Sequence, residues 1–351
     1  MSTTDSARNE VREFVFRHLH PRLHLGTASD RYAAWIGQVY GEPWRSVVQT
    51  RTKKLGTGSF EERLLPIASV EEYFTRFPVL EIDFTYYRPL CKPDGSSDAP
   101  WFVLQEYARH APPNAKFILK VPQAFFARIV RRSQGGKATF VPNPGYLNAS
   151  DYVQQFHTPA TELLGERLAG IIFEQEFNRP ADSPHPAEMV HSLDTFFAAI
   201  PGTVQAHLEL RSPHLLSPAY FDFLRDRGLG FVFSHWTWLP PIREQWKLAG
   251  GGFSAANQTA ICRILTPLGV KFEDAFARAY PFERPIPEVE ASPDTQRMVL
   301  DATALAFQAI LQETDLFLIL NNRAYGNAPN LAQRIALRIL DEFERRRKNA
   351  G

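Results

Sequence analysis

Short apolar runs that each close on a charged or amide residue recur along the chain, separated by segments long enough for a helix. The clearest are Pro78-Val79-Leu80-Glu81-Ile82-Asp83, Phe117-Ile118-Leu119-Lys120, Gly170-Ile171-Ile172-Phe173-Glu174-Gln175, Val204-Gln205-Ala206-His207-Leu208-Glu209-Leu210-Arg211 and Leu316-Phe317-Leu318-Ile319-Leu320-Asn321-Asn322. Further strands are expected at 23–27, 230–235 and 260–265. Apolar runs of this length bounded by turn residues and alternating with helical segments read as buried parallel strands in βα units. The pattern predicts an α/β fold, a TIM-type (β/α)8 barrel with long βα-loop insertions, whose strand ends converge on one polar site.

Helical periodicity is expected over 101–109, 150–168, 187–200, 217–227, 293–313 and 329–347. The insertion 131–152, rich in Gly, Pro and Asn, reads as a structureless loop of the kind that often serves as a lid. Within it, Gly135-Gly136-Lys137 lacks the opening glycine and the following Ser or Thr of a phosphate-binding P-loop. After the sixth strand, Trp236, Trp238 and Trp246 surround Pro240-Pro241. They form either a stacking wall for a planar or sugar-like ligand or a hydrophobic plug over a barrel end. Residues 1–21 are read as a polar, helical N-terminal extension to one barrel domain over 22–351.

Composition narrows the function. The 351 residues include 27 Phe and 27 Pro, enough for a large core and many loops, while 39 Lys and Arg against 38 Asp and Glu leave a net charge of +1. Such a balance supplies no global field for nucleic acid or an anionic membrane. The basic run Arg345-Arg346-Arg347-Lys348 suits a solvated helix C-terminus. Residues 1–12 have no signal-type apolar core and no run approaches the ~18 apolar residues of a membrane span, so a cytoplasmic chain without a membrane partner is expected. Cys91 and Cys262 lie too far apart in kind and position to suggest a disulfide framework or a Cys-based metal motif.

Side chains alternate along a strand, so Glu209 and Arg211 should share one face, as should Glu81 and Asp83. With Lys120, Glu174 and Arg263 they form a set of both signs at the strand ends. Two readings stay open. In one, Lys120, Arg211 and Arg263 neutralise an anionic ligand, Glu81 and Glu209 act as catalytic acid or base, and Asn321 and Asn322 orient the ligand. In the other, the charges are an internal salt-bridge layer that fills the barrel. The start of the last helix could add an anion site through its free N–H groups, with Asn327 as its cap. His207 reads as a core histidine and His235 as better placed, but no metal-ligand spacing is present. Nor is there a G-x-S-x-G elbow or a G-x-G-x-x-G fingerprint, so no nucleotide cofactor or metal is implied.

The strand ends also resemble a known set. Gly26-Thr27-Ala28-Ser29 with Trp35, Glu81-Ile82-Asp83-Phe84-Thr85-Tyr86-Tyr87, Lys120-Val121-Pro122, Phe173-Glu174-Gln175, Glu209-Leu210-Arg211 and Asn321-Asn322 with Gly326, Ala328 and Asn330 resemble the YecE-like family of unknown function. The resemblance spans about residues 22–340 and implies a TIM-type barrel without implying a reaction. Three positions depart from the family's pattern. Asp83 stands where Asn is usual, Gln175-Glu176-Phe177 where Gln-Leu-Pro is usual, and Arg263-Ile264-Leu265-Thr266 where Arg-x-His-Gly is usual.

The expectation that follows is a barrel that binds a small anionic, phosphorylated molecule at its C-terminal strand ends, with hydrolase or lyase chemistry in view. The alternative is a non-catalytic binding protein for single-stranded nucleic acid, with the three tryptophans as stacking platforms and Arg131, Arg132 and Lys137 on phosphates.

Overall fold

In the computed structural model, which describes residues 3–55, 58–134 and 137–350, eight parallel strands close into a barrel. They are β1 (Leu23–Ala28), β2 (Val79–Ile82), β3 (Lys116–Lys120), β4 (Leu168–Gln175), β5 (Ala206–Leu210), β6 (Gly230–His235), β7 (Thr259–Ile264) and β8 (Asp315–Leu320). Each pairs with the next in chain order, and β8 returns to β1 with Leu23 opposite Leu316 and Thr27 opposite Leu320. The chain thus forms the TIM-type barrel that its apolar pattern predicts.

Alternation sorts the strand residues into two cores. Val79, Ile118, Ile172, Val232, Ile261 and Ile319 point inward and make an apolar middle layer. Leu80, Leu119, Phe173, Phe233, Cys262 and Leu318 belong to the larger core shared with the surrounding helices. Both faces are buried, which is why the strands read as nearly continuous apolar runs. At Gly26 the backbones of β1 and β2 come so close that a Cβ would sit 2.2 Å from the Val79 carbonyl oxygen, and only glycine fits.

Local signals set the helix boundaries. Ser217 caps the helix Pro218–Arg227 by accepting from the Tyr220 N–H, and Gly228 ends it in the left-handed region at φ 63°. Ser292 caps Pro293–Leu311 in the same way. The last helix, Ala328–Ala350, carries Leu331, Ile335 and Ile339 into the core, and the helix Thr3–Arg12 lies against it through an Arg8–Asp341 ion pair of 2.7 Å.

The expectation of a structureless 131–152 is corrected. Ile129–Gln134 pairs antiparallel with Lys137–Pro142, and the chain then enters a helix at Ala149. Asn143 fastens the base of this hairpin by donating to the carbonyls of Gln123, Ala124 and Ala127. Gly135-Gly136 falls outside the described residues, as do the side chains of 131–138. A second hairpin, Gln49–Leu55 with Gly58–Leu64, was not foreseen, because its inner face mixes Leu55 and Phe60, which pack against the Phe276 cluster, with Arg51, Lys53 and Glu62, and so shows no clean apolar alternation. Both hairpins belong to loops that follow barrel strands, on the face where such folds place their sites.

Candidate functional site

Above the apolar layer, the next inward position on β2 to β7 is polar. Glu81 of β2, Lys120 of β3, Glu174 of β4, Glu209 of β5, Ser234 of β6 and Arg263 of β7 are all buried there. Arg263 organises them. Its guanidinium reaches across the barrel to Glu81 in a two-pronged pair, Nε to Oε2 at 2.8 Å and Nη2 to Oε1 at 2.7 Å. Its remaining terminal nitrogen donates to Glu209 and lies 3.3 Å from Glu174 Oε2. Ser234 donates to the other oxygen of Glu209. Glu174 also receives Lys120 at 2.6 Å and Arg211 at 2.8 Å, and Lys120 stands 3.7 Å from Asp83.

The number of partners sets the direction in which Glu81, Glu174 and Arg263 shift. Burial pushes the Glu81 carboxyl up, and its Arg263 partner offsets only part of that cost. Burial acts on Glu174 too, but Arg211, Lys120 and Arg263 together hold it well below the usual carboxylate range. Burial alone would weaken the Arg263 cation; Glu209, Glu81 and Glu174 instead raise it well above its ordinary value. A buried arginine with three acceptors has its desolvation compensated, and it is not free to take a ligand. Glu81, Glu209 and Arg263 therefore form the sealed lower floor of the site.

The upper floor is open. The Asp83 side chain is 34% exposed and that of Arg211 17%. Arg211 lies over the Trp236 ring at 4.8 Å and Lys120 over Tyr86 at 4.2 Å. Half-buried Arg323, just beyond β8, is placed over Phe272 at 4.4 Å and has no carboxylate within ion-pair distance among the described residues. Its Nε, like that of Arg211, is buried without a hydrogen-bond partner. Burial lowers the Arg323 pKa, Asp83 and Tyr32 oppose this, and Arg211 and Arg263 add to it.

Arg323 was not among the residues singled out from the sequence. Its signal was the inward register Phe317, Ile319, Asn321, which the short turn Asn322–Ala324 then obscures. Asn321 and Asn322 hold that loop together. Asn321 accepts from the Arg323 N–H at 3.1 Å and Asn322 from the Ala328 N–H at 2.8 Å. The expected anion site at the last helix is occupied by its own caps: Asn327 takes the Asn330 and Leu331 N–H groups, and Pro329 has none to offer. The tryptophans divide. Trp236 and Trp238 stay at the strand ends, whereas Trp246 packs against Phe233 and Phe253 outside the barrel. His235 faces away from Ser234 and lies 3.6 Å from Asp294. Among the described residues, no group of three or more His, Cys, Asp or Glu is arranged to hold a metal ion, and no helix is long and apolar enough to cross a membrane. Of two cavities, the one of about 300 Å³ beside Phe221 and Phe253 lies apart from the charged floor, and the one of about 50 Å³ beside Tyr32 and Phe282 adjoins Arg323 and Asp83 through Tyr32.

Comparison with known proteins places the chain. Residues 24–350 match the model of a protein family of unknown function, DUF72. A crystal structure of a DUF72 family protein from Thermotoga maritima, 16% identical, superposes with a TM-score of 0.50 over 91% of this chain and 99% of its own. One from Enterococcus faecalis, 14% identical, gives 0.54 over 91% and 95%. Identities this low show the shared fold. No curated protein matches the chain. The chain belongs to the DUF72 family.

Proposed function

We propose that this member of the DUF72 family binds a small anionic ligand, carrying a carboxylate or a phosphate, on the upper floor at the C-terminal strand ends. One observation carries the reading: of the cations Lys120, Arg211, Arg263 and Arg323, only Arg323 lacks a carboxylate partner among the described residues. A half-buried cation with a lowered pKa gains most from a ligand that brings a negative charge. Arg211, beside it and partly exposed, supplies the second donor.

Hydrolase or lyase chemistry on such a ligand would use Asp83 as its acid or base, since it is the most exposed carboxylate of the floor and Lys120 stands beside it. Glu81 and Glu209, whose side chains are fully buried against Arg263, fit the role of fixed counter-ions.

Thermal denaturation with inorganic phosphate or acetate tests the reading, because a ligand of the folded state alone raises the melting temperature. Wild-type protein should be stabilised, and Arg323→Gln and Arg211→Ala, both folded, should lose that response. An equal response in Arg323→Gln would show a non-specific salt effect and remove the assignment.

A further inference from the structure

We infer that the ligand is a sugar bearing a single anionic group, a carboxylate or a phosphate. The inference rests on the anion-binding reading and identifies the remainder of the molecule.

The aromatic side chains give the first argument. The exposed ones are Tyr87 (69%), Phe102, Phe140, Phe177 (40%) and Trp238 (44%), and all but Phe102 lie on loops that follow barrel strands. Leaving a large apolar side chain in water forgoes the stabilisation that its burial would give. Gathering several at one end of a barrel marks a surface that something covers. Phe177 and Trp238 stand 6.2 Å apart with their planes tilted by 43°. That is an open face for the C–H side of a sugar ring, not a pair of parallel walls closing on a flat base.

Charge gives the second. Lys120, Arg211, Arg263 and Arg323 are matched in number by Glu81, Asp83, Glu174 and Glu209. The formal charges of these eight residues cancel and Glu176 beside them adds no cation, so Arg323 can attract one anionic group while a di- or triphosphate would meet no surplus of cations.

The third is the need for donors. Asp83 is partly open, and Glu176, beside Tyr86, uses Oε1 to accept the Arg128 and Ile129 N–H groups and leaves Oε2 buried without a partner. Acceptors of this kind are satisfied by hydroxyl groups, which a sugar supplies and a bare carboxylate or an aromatic acid does not.

Calorimetric titration of the full chain with glucuronate, glucose 6-phosphate, benzoate, acetate and inorganic phosphate tests this. The tighter of the two sugars should bind at least about tenfold more strongly than acetate or phosphate, and their ranking assigns the anionic group. Trp238→Ala, an exposed substitution, should remove that excess and leave acetate binding unchanged. Arg323→Gln should weaken every anion. If benzoate and acetate bind as tightly as both sugars, or Trp238→Ala leaves the sugar affinity intact, the sugar is wrong and the anion site stands. If no anion binds, or Arg323→Gln changes nothing, the underlying reading falls with it.

Discussion

Along β5 the same inward face carries His207 and Glu209, two residues apart and both fully buried, at opposite ends of the barrel interior. At the C-terminal end Glu209 takes Arg263, Arg211 and Ser234 as partners. At the N-terminal end His207 has one. Thr259 gives its hydroxyl hydrogen to Asn257 at 2.6 Å, so it accepts from His207 Nε2 at 3.2 Å, and Nδ1 is left without a partner. Burial consequently drives the His207 pKa down to about 3 and keeps the ring neutral. The imidazole fits only because Gly230 and Gly170 stand beside it; a Cβ on Gly230 would lie 2.0 Å from Nδ1. One end holds charge by surrounding it with partners, and the other holds a polar ring by neutralising it. In barrels of this kind the first end carries chemistry and the second stability.

Arg263 is the place to break the contrast most severely. Arg263→Ala leaves Glu81 and Glu209 buried without their main partner and should cost about 3–5 kcal/mol by denaturant unfolding. A near-neutral result would mean that these carboxylates are protonated or hydrated. At the other end, Gly230→Ala forces the His207 ring aside and should cost about 1–3 kcal/mol in the same measurement. No loss would show that the ring has room the packing does not reveal.

A third perturbation uses pH. The folded His207 pKa of about 3 lies below the ordinary 6.5, so between these values the unfolded chain binds a proton that the folded one refuses. The stabilisation is complete above 6.5 and is lost as pH falls towards 3, at roughly 1.4 kcal/mol per pH unit where the slope is full. His207→Gln should flatten that slope relative to wild type; an unchanged slope would assign it to other groups. The smallest expected change comes from Trp238→Ala, which should leave stability within about 0.5 kcal/mol because the indole is an exposed surface residue.

Much of the charged end was legible beforehand. The apolar runs located all eight strands, period-two alternation put Glu209 with Arg211 and Glu81 with Asp83 on shared faces, and Lys120, Glu174 and Arg263 joined them as a set of both signs at the strand ends. Their pairing was not legible, because Arg263 meets Glu81 across 182 positions of sequence. Whether a buried cation is free or occupied depends on such distances, and alternation carries no information about them. Arg323 escaped for a local reason, since it sits within the short turn Asn322–Ala324 that breaks the register of β8. The hairpin strand Gln49–Leu55 escaped because Arg51, Lys53 and Lys54 put charge on both its faces. Trp246 was grouped with Trp236 by sequence proximity, yet it lies on the helix Ile242–Leu248, which turns it to the outside of the barrel.

Amide hydrogen exchange of the full chain with and without glucuronate tests most directly whether the charged end is the one that meets a ligand. The account predicts slowed exchange in the loops around 83–88, 176–179, 236–239 and 322–326, with the N-terminal ends of the strands around His207 and Thr259 unchanged. Protection confined to those N-terminal ends, or to the cavity beside Phe221 and Phe253, would contradict it.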